Sequence, residues 1–577
     1  MYIVKKTIAG KDYYYLRKSV REGNKVISKS VAYLGKNKEE AEKKAKGWKD
    51  EKNEVINMKN EIADNLEKKE ITIEELSNFC KEKGFVFRSS DIYGGFAGFW
   101  DFGPLGVELF NNIKKEWWNF FVVSRDNMVG MEASIISHPR IWEASGHVTN
   151  FNVNDYLVTC KKCKKSSKVD KSELRKVKCE CGGEYDWENA QIIEQMFKTR
   201  VGSTDKSDVY LRGETAQGMF SDFKIIQQTS RMQLPFGIAQ VGRCFRNEIA
   251  PRDFLFRSRE FHIGEFEFFI NPEEKKCELL DEIHKEVKLK LLDAETQSKA
   301  SSTSEDVENS KFAKEELLRD ITIGEMIKEG RLEEWHAYWL AEQILWFNSI
   351  GLNEIKIREH KRDELSHYSS ATFDIDYLYS FGSKEVAGNA NRGQFDLTNH
   401  HKYSGVSMEI YDEKYKNKII PKVIEPTFGM ERVFLAILTK AYNYDKKRDY
   451  VVLKIPPKLA PIKAAVFPIV KQGEYVEMSE KIVRDLRKEW NVVYDKGGSI
   501  GRRYARNDGQ GTPYCITIDE DSLKNKDCTI RDRDSTIQIR VKVKELKEVI
   551  KKLINGEISF TRAGKVVKTR VKESDLG

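Results

Sequence analysis

The sequence predicts an α+β protein of several domains, and three stretches of the chain lead to this conclusion. Residues 1–36 alternate polar and apolar side chains in short runs separated by turn residues, which is typical of a small β-sheet. From about residue 75 to 455, strand-like stretches interleave with helical ones such as GVELFNNIKKEWWNFFV. After residue 456, strands alternate with helices, which favours a compact α/β domain. For 577 residues, about three to five domains are expected.

Composition and the first residues of the chain argue against a membrane protein. Hydrophobic residues make up 40% of the sequence and charged residues 33%, which allows apolar cores beneath a strongly charged surface. No apolar run reaches the roughly 18 residues that a membrane helix needs. The start, MYIVKKTIAGKDYYYL, has neither the apolar region nor the cleavage site of a signal peptide. Nine cysteines, four of them clustered, suit a reducing compartment, so we expect a cytoplasmic protein with no membrane partner.

The basic β extension over residues 1–36 is expected to contact a polyanion. Its first 30 residues hold eight Lys or Arg against Asp12 and Glu22, whereas the net charge of the whole chain is only +8. Tyr14 and Arg17 would suit unpaired bases. RNA binding is one hypothesis for this extension, and a solubility or partner-docking role is the other. Residues 37–74, rich in Lys, Glu and Ala, are interpreted as a charged helical spacer.

A polar, low-complexity stretch, SKASSTSEDVENSK, interrupts the pattern of residues 75–455. Segments of this composition bury too little apolar surface to join a core. We therefore expect a flexible helical insertion over about residues 272–333, and a separate C-terminal domain over residues 456–577.

Four cysteines in one Lys-rich segment suggest a metal site. Cys160-Lys-Lys-Cys163 is followed by Cys179-Glu-Cys181-Gly-Gly, and thiolates at such spacing can close a tetrahedral Zn²⁺ site. The second pair departs from the usual C-x-x-C, and four surface thiols are the alternative. Without a His or Glu among these ligands, a structural Zn²⁺ is expected in an insertion over about residues 158–185.

Fixed positive charge and aromatic rings occur together in FRNEIAPRDFLFRSREF, residues 245–261. We interpret QVGRCFRNE as a strand, IAPRD as its turn and FLFRSREF as the returning strand. Alternation then places Arg246 with Glu248 on one face, and Arg257, Arg259 and Phe261 on one face of the partner. Guanidinium groups bind phosphate and a Phe ring can stack on a base, so the hairpin suits a nucleoside triphosphate. An exposed hairpin with scattered ion pairs is the alternative.

A second charged element favours the nucleotide. In IEPTFGMERVFLAIL, residues 424–438, a strand ends at Gly429 and an apolar helix opens with Glu431 and Arg432. One more guanidinium would therefore lie where a strand meets a helix, although an ion pair at the helix start would give the same pattern.

These two elements resemble the second and third signature motifs of class II aminoacyl-tRNA synthetases. Together with LRGETAQGMF, WEASGHVTNF, SSDIYGGFAGFWDFGPLG and TIRDRDSTIQIRV, they resemble the dimeric type of glycyl-tRNA synthetase over roughly residues 75–575. The resemblance implies an antiparallel-sheet catalytic core over residues 75–455 and an anticodon-binding domain over residues 456–577. It also implies ATP-dependent attachment of glycine to tRNA(Gly) through glycyl-adenylate, with AMP as a product.

The resemblance assigns the catalytic roles to two arginines. Arg246 would hold the α-phosphate of ATP, and Arg432 would cover one face of the adenine and reach the γ-phosphate. Phe261 would lie beneath the base, and Glu248 would contact its edge.

Further residues are assigned to ATP on the same basis. Arg257 would steady the β- and γ-phosphates, and Glu385 would lie near ATP and its Mg²⁺, which prefers one or two carboxylates with phosphate oxygens. The full ATP-binding set implied is Arg246, Asn247, Glu248, Phe256, Arg257, Ser258, Arg259, Glu260, Phe261, Glu385, Val386, Gly429, Met430, Glu431 and Arg432.

The resemblance also places glycine. Carboxylates would hold its ammonium group, and a wall beside Cα would exclude larger amino acids, since one methylene in an apolar pocket discriminates by only about 1–3 kcal/mol. Two residues depart from the family pattern. Thr427 stands where serine is usual, so its methyl group would either narrow the pocket or rotate away, and Lys168 stands where Arg contacts substrate. The set implied is Glu214, Phe261, His262, Ile263, Gly264, Glu265, Glu425, Thr427 and Lys168.

Two partners complete the prediction. The region WDFGPLGVELFNNIKKEWW resembles a two-fold interface, which implies a homodimer. In GSIGRRYARND, Arg502, Arg503 and Arg506 are candidates for contacts with tRNA, and an exposed basic helix is the alternative.

Two other functions compete with a glycine enzyme. A non-catalytic RNA-binding paralogue would keep the fold, but it has no reason to retain Arg246, Glu248, Glu214, Glu425 and Arg432 together. A synthetase for alanine or serine is the third hypothesis, and RGETAQ with EPTFG argues against it.

Overall fold

The fold is taken from a computed structural model, which describes residues 2–8, 11–22, 25–35, 71–150, 155–170, 174–192, 195–204, 207–301, 317–366 and 369–567. These residues divide into two compact units, one with the N-terminal strands and residues 443–451 and the other with the remainder. Residues 37–70 of the predicted spacer lie outside the described ranges, as do residues 302–311 of the low-complexity stretch. Within those ranges, no helix has both the length and the apolar character needed to span a bilayer.

The N-terminal strands are β1 (Tyr2–Ile8), β2 (Lys11–Glu22) and β3 (Lys25–Gly35). They form an antiparallel sheet in the order β1-β2-β3, in which Tyr2 pairs with Arg17 and Ile8 with Lys11. The predicted small β-sheet is therefore present at the N-terminus.

The main unit contains most of the secondary structure. Its strands are β4 (Val86–Arg88), β5 (Trp100–Phe102), β6 (Met128–Gly130), β7 (Ile136–Ser137), β8 (Asp155–Thr159), β9 (Ser166–Asp170), β10 (Gln191–Ile192), β11 (Lys198–Val201), β12 (Ser207–Leu211), β13 (Phe236–Phe245), β14 (Glu260–Ile270), β15 (Lys288–Leu292), β16 (Arg319–Thr322), β17 (Ile355–Glu359), β18 (Ala371–Tyr379), β19 (Gly382–Gly393), β20 (Ile410–Asp412), β21 (Asn417–Ile419), β22 (Lys422–Gly429), β25 (Ala464–Pro468), β26 (Val492–Tyr494), β27 (Tyr514–Ile518), β28 (Asp527–Asp532), β29 (Gln538–Lys542) and β30 (Lys565–Val566). Strands β23 (Tyr442–Asp445) and β24 (Tyr450–Leu453) overlap residues 443–451, which belong to the first unit. The helices are α1 (Ile73–Lys83), α2 (Pro104–Trp118), α3 (Pro139–Ala144), α4 (His147–Asn150), α5 (Ala216–Ser230), α6 (Glu282–Lys285), α7 (Ala294–Ser301), α8 (Ile323–Lys328), α9 (Glu334–Ser349), α10 (Phe395–Ser404), α11 (Met430–Ala441), α12 (Glu474–Leu486), α13 (Ile500–Gly509), α14 (Glu520–Asn525) and α15 (Leu546–Asn555).

A nine-stranded sheet forms the centre of the main unit. Its order is β16-β15-β17-β18-β19-β22-β14-β13-β6, and only β15/β17 and β13/β6 pair in parallel. The predicted α+β fold with an antiparallel core is therefore confirmed.

Alternation along β14 gives the sheet one apolar face and one polar face. Phe266 and Phe268 point to the apolar face, where their rings contact Trp339 of α9 at centroid distances of 4.6 and 4.8 Å. Helix α9 covers this face and is buried along most of its length. The opposite face carries Glu265 and is the one available for a site.

Helix α2 brings aromatic rings to the junction of β14 and α11. Pro104 occupies its first turn, where a fixed φ angle favours helix initiation. One turn and a half later, the ring of Phe110 lies 4.8 Å from that of His262 in β14 and 6.3 Å from that of Phe434 in α11. These contacts hold the start of β14 against α11.

The interval 272–333 differs from the predicted helical insertion. It contains the short helices α6, α7 and α8, but also β15 and β16, which extend the edge of the main sheet. In β15, Leu289 and Leu291 are buried while Lys288 and Lys290 are exposed. This alternation with a period of two explains why the segment forms a strand.

The C-terminal part contains a mixed six-stranded sheet in the order β26-β25-β27-β28-β29-β30. Strands β25, β26 and β27 are parallel, as expected where helices connect them. Val466, Ile482, Ile516 and Ile550 join the sheet to α12 and α15 in one apolar core.

Candidate active site

A cavity of about 290 Å³ opens on the polar face of the main sheet. It is bounded by β14, β22, the start of α11 and the segment between β13 and β14. The lining residues are Arg246, Glu248, Leu255, Phe256, Arg257, Ser258, Phe261, His262, Ile263, Glu385, Thr427, Gly429, Glu431 and Arg432. Apart from Leu255, all of them were predicted from the sequence as ligands of ATP or glycine.

The predicted returning strand FLFRSREF is wrong in its first six residues. Strand β13 ends at Phe245 and β14 begins only at Glu260, with a single 3₁₀ turn over Phe254–Phe256 between them. Asp253 and Phe254 both have positive φ angles, 58° and 57°, which interrupt strand geometry. Phe254 and Leu255 are buried, and they anchor the loop that carries the arginines.

Two oriented guanidinium groups line the cavity. Arg246 donates from Nε to the Gly213 carbonyl at 3.1 Å, and its guanidinium carbon lies 5.5 Å from the centre of the Phe261 ring. Arg432 lies 4.5 Å from the centre of the Phe256 ring, and its Nη1 is 3.0 Å from Glu385 Oε2. Ring and hydrogen-bond contacts therefore fix both cations before any substrate binds.

The remaining charges of the loop pair with one another. Arg257 donates to Glu248 at 2.7 Å, so a nucleotide would have to exchange this ion pair for its own contacts. Arg259 donates to the backbone carbonyls of Glu248 and Ala97 and therefore braces the loop outside the cavity. Other residues predicted to bind substrate also do not line the cavity: Asn247, Glu260, Val386, Gly264, Met430, Glu214, Glu265 and Glu425.

Three buried carboxyl groups lie beyond Thr427, and a buried arginine contacts two of them. Arg392 Nη1 donates to Glu425 Oε1 at 2.8 Å, and its Nη2 lies 3.8 Å from Glu214 Oε1. Glu265 accepts from the backbone N–H of Thr215 at 2.8 Å and also from the Thr215 hydroxyl. The predicted ammonium ligands therefore belong to one hydrogen-bonded cluster.

The pKa values of these carboxyl groups shift in different directions. Burial opposes ionisation of Glu214, but His147 Nε2 at 3.1 Å and Arg392 hold its pKa below the ordinary value. Burial and the neighbouring Glu214 raise the pKa of Glu265. Burial also raises the pKa of Glu425, and the Arg392 guanidinium opposes that shift. The cluster therefore keeps Glu214 ionised, whereas burial disfavours the charged forms of Glu265 and Glu425.

Thr427 stands between the cavity and these carboxyl groups. Its hydroxyl donates to Glu265 Oε2 at 3.4 Å, and Glu265 is its cross-strand partner in β14. Nearby, Glu431 accepts from the backbone N–H and the ring Nδ1 of His262, both at 2.7 Å. These bonds fix the two strands and the helix around the centre of the site.

Sequence reasoning missed the buried arginine. Arg392 is 1% exposed and forms a bidentate pair with Asp396, at 2.7 and 2.9 Å. An arginine four residues before an aspartate at a strand-to-helix junction was the available signal, but only the fold brings it to Glu425. His147, which contacts Glu214, lies in the motif WEASGHVTNF, but the sequence did not indicate its role.

The cysteine cluster fits a tetrahedral metal. Sγ atoms of Cys160 and Cys181 are 3.6 Å apart, as are those of Cys163 and Cys179, and all four lie within 4.8 Å of one another. Thiolates about 2.3 Å from a shared Zn²⁺ would lie about 3.8 Å apart. A backbone N–H from Cys163 lowers the pKa of the Cys160 thiol to about 6. A Cβ at Gly183 would come within 2.8 Å of Cys160 Sγ, so the glycine permits the approach.

The chain is similar to known proteins along most of its length. Residues 463–553 match the anticodon binding domain. A glycine–tRNA ligase from Treponema denticola is 38% identical over 502 residues, covering 84% of this chain and 98% of that protein. Those of Geobacillus kaustophilus and Borreliella burgdorferi are 39% and 36% identical, covering 84% and 85% of this chain and 99% and 100% of theirs. This chain belongs to the glycine–tRNA ligase family.

Membership of the glycine–tRNA ligase family confirms the resemblance stated from the motifs. It makes the chain an aminoacyl-tRNA synthetase, a class of enzyme that uses ATP with Mg²⁺. The anticodon binding domain lies within the predicted C-terminal domain.

The predicted tRNA arginines of this anticodon domain differ in exposure. Arg503 is only 2% exposed and donates to the carbonyls of Pro468 and Gly498, so it does not fit the predicted contact with RNA. Arg502 and Arg506 are both exposed, and Arg506 also donates to Asp495 and to the Gly497 carbonyl. The last substrate candidate, Lys168, lies in β9, and its side chain is outside the described part of the structure.

Proposed function

We propose that this protein attaches glycine to tRNA(Gly) in two steps, through glycyl-adenylate. The observation that carries the proposal is a cavity lined by Arg246 and Arg432, whose lining residue Thr427 hydrogen-bonds to Glu265 in a cluster of buried carboxyl groups. An amino acid that enters with its ammonium group towards the carboxyl groups presents its carboxylate to a nucleotide beside the arginines. Adenylate formation requires this arrangement.

The charge that develops in the first step explains the role of the two arginines. Attack of the glycine carboxylate on the α-phosphorus adds negative charge, and cations that are already oriented stabilise it without reorganisation. Arg246 would serve the α-phosphate, and Arg432 would cover the adenine opposite Phe261. Bound Mg²⁺ would neutralise phosphate charge, and Glu385 is the residue proposed to hold it.

Glycine recognition depends on charge and exclusion. Glu265 and Glu425 would accept the ammonium N–H groups, with Glu214 contributing to the negative potential. Thr427 would limit the space beside Cα. Because glycine has no side chain to bind, selectivity depends on steric exclusion of larger amino acids by a side chain held in place.

Other parts of the chain have proposed roles outside the cavity. The C-terminal domain would bind the anticodon region, with Arg502 and Arg506 as the candidate contacts. Four thiolates would hold a structural Zn²⁺ in the insertion. The region 100–118 would contribute to a homodimer, and a cytoplasmic location follows from a role in protein synthesis.

Glycine-dependent ATP–pyrophosphate exchange tests the first step, and charging of tRNA(Gly) tests the second. We expect exchange with glycine and not with alanine or serine. Equal exchange with alanine or serine would overturn the glycine assignment. Binding of tRNA without exchange by any amino acid would instead support the non-catalytic paralogue.

A further inference from the structure

A fourth buried carboxyl group, Glu267, lies behind the proposed ammonium ligands. It follows Glu265 by two residues in β14, so both side chains point to the same face of the sheet. The β14/β22 register places it directly across from Glu425. One carboxylate oxygen from each of Glu265, Glu267 and Glu425 lies within 4.8 Å of the other two.

Glu267 differs from these neighbours in having no hydrogen-bond partner. Its side chain is 0% exposed, and within the described residues neither oxygen meets a donor. Glu265, in contrast, accepts from Thr215, and Glu425 accepts from Arg392. A buried carboxylate without any donor is strongly disfavoured, whereas a neutral carboxylic acid is not.

The charges that face Glu267 also favour its neutral form. Burial raises its pKa well above the ordinary value, and Glu425 and Glu265 raise it further. Arg392 opposes this, but its donors are directed at Asp396 and Glu425. The strand on the other side, β13, presents Ile238 opposite Glu267 and adds no charge.

Carboxyl groups whose oxygens lie within 4.8 Å of each other titrate as a pair, and their contacts decide which one is the more acidic. Glu425 has the guanidinium of Arg392 at 2.8 Å, so it is the better anion. Glu267 then retains the proton and has one O–H to donate, and an oxygen of Glu425 and one of Glu265 lie within 4.8 Å of it. Glu214 is occupied by His147 and Gln217.

We propose that Glu267 is a positioning residue that remains a neutral carboxylic acid and donates its O–H to Glu425, which holds that carboxylate in place for the ammonium group of glycine. The proposal rests on the proposed function, and it adds a residue that would not touch the substrate. No proton is transferred to glycine, which enters and reacts with its ammonium group charged.

Infrared difference spectroscopy of the full-length protein tests the protonation without relying on activity. Wild type minus Glu267→Gln at pH 7.5 should show the carbonyl stretch of one protonated carboxylic acid, shifted in D₂O. Glycine should change its frequency as the O–H···O bond tightens. A difference spectrum that shows a carboxylate in place of the acid would overturn the proposal whether or not the protein activates glycine.

Glycine kinetics test the positioning role. Glu267→Gln keeps a donor of similar shape, so the KM for glycine should remain within about threefold of wild type. Glu267→Leu has no donor and should raise that KM about tenfold or more, because a hydrogen bond to a charged group is lost. The KM for ATP should not change in either variant.

The pH profile separates positioning from packing. In Glu267→Leu, loss of the O–H raises the pKa of Glu425, so the fall in glycine KM with rising pH should move to higher pH. In Glu267→Gln the profile should match wild type. An unchanged KM in Glu267→Leu, or a loss in Glu267→Gln as large as in Glu425→Gln, would overturn the proposal. If the Leu variant does not fold, the Gln variant and the infrared spectra decide.

Discussion

Replacement of Thr427 by serine should relax selection against alanine. Thr427 lines the cavity, and its hydroxyl donates to Glu265, so the side chain is held and its methyl group has a fixed place. Serine keeps the hydroxyl and its hydrogen bond but removes the methyl group. Alanine exceeds glycine by one methyl group, so the space removed from the protein equals the space that the wrong substrate needs.

The size of the effect follows from the cost of one excess methyl group in a packed site. Such overpacking costs about 1–3 kcal/mol, which is roughly a fivefold to 150-fold change in relative kcat/KM. Thr427→Ser should therefore increase alanine activation relative to glycine by at least about fivefold.

Valine provides the matched control because it keeps the volume and removes the hydroxyl. Thr427→Val should exclude alanine as wild type does, while its kcat/KM for glycine falls about twofold to tenfold as Glu265 loses a donor. Pyrophosphate exchange with each amino acid measures both ratios. An alanine-to-glycine ratio that is unchanged in Thr427→Ser would show that the methyl group does not face the substrate, and the reasoning would fail.

Three further predictions concern other parts of the chain. Arg246→Ala should slow pyrophosphate exchange about 10²- to 10³-fold, by comparison with the loss of one oxyanion donor. Arg252→Ala is the control, because it removes an exposed cation of the same loop and should change exchange little. Near-normal exchange in Arg246→Ala would refute the role proposed for Arg246. Elemental analysis should find about one Zn²⁺ per chain, lost in Cys179→Ser, and less than a tenth of an equivalent after purification without chelator would leave four ordinary thiols. Deleting residues 1–70 should weaken tRNA binding and flatten its salt dependence, while glycine-dependent exchange persists. Each phosphate contact releases counterions and contributes about −0.9 to the slope of log affinity against log salt concentration on a duplex. Equal affinity of the deletion variant and the full chain across a salt series would exclude RNA binding by this extension.

The charged motifs were predictable because their chemistry is local in sequence. Arg246 and Arg432 occur in long ordered motifs, and both line the cavity. The loop between β13 and β14 was not predictable, because two successive positive φ angles at Asp253 and Phe254 do not show in the alternation of polar and apolar residues.

Residues that act through distant partners were hidden from sequence reasoning. Arg392 pairs with Glu425 across 33 positions of the chain, and only strand pairing reveals it. Arg503 shows the opposite error, since a basic helix suggested exposure while its guanidinium in fact caps two backbone carbonyls in the interior. Burial of a charged group depends on what its neighbours offer, and composition does not record that.

Strand β22 sets the separation between the proposed glycine and ATP sites. Glu425 and Thr427, proposed to bind glycine, lie at one end of this segment, and at its other end Gly429, four residues after Glu425, precedes the helix that carries Arg432. A strand extends by about 3.4 Å per residue, so roughly 14 Å of uninterrupted backbone lies between those ends. Substitutions along it alter one contact each, but inserting or deleting a single residue would reverse the faces and change the length together. We therefore expect this segment to tolerate changes of side chain far more readily than changes of length.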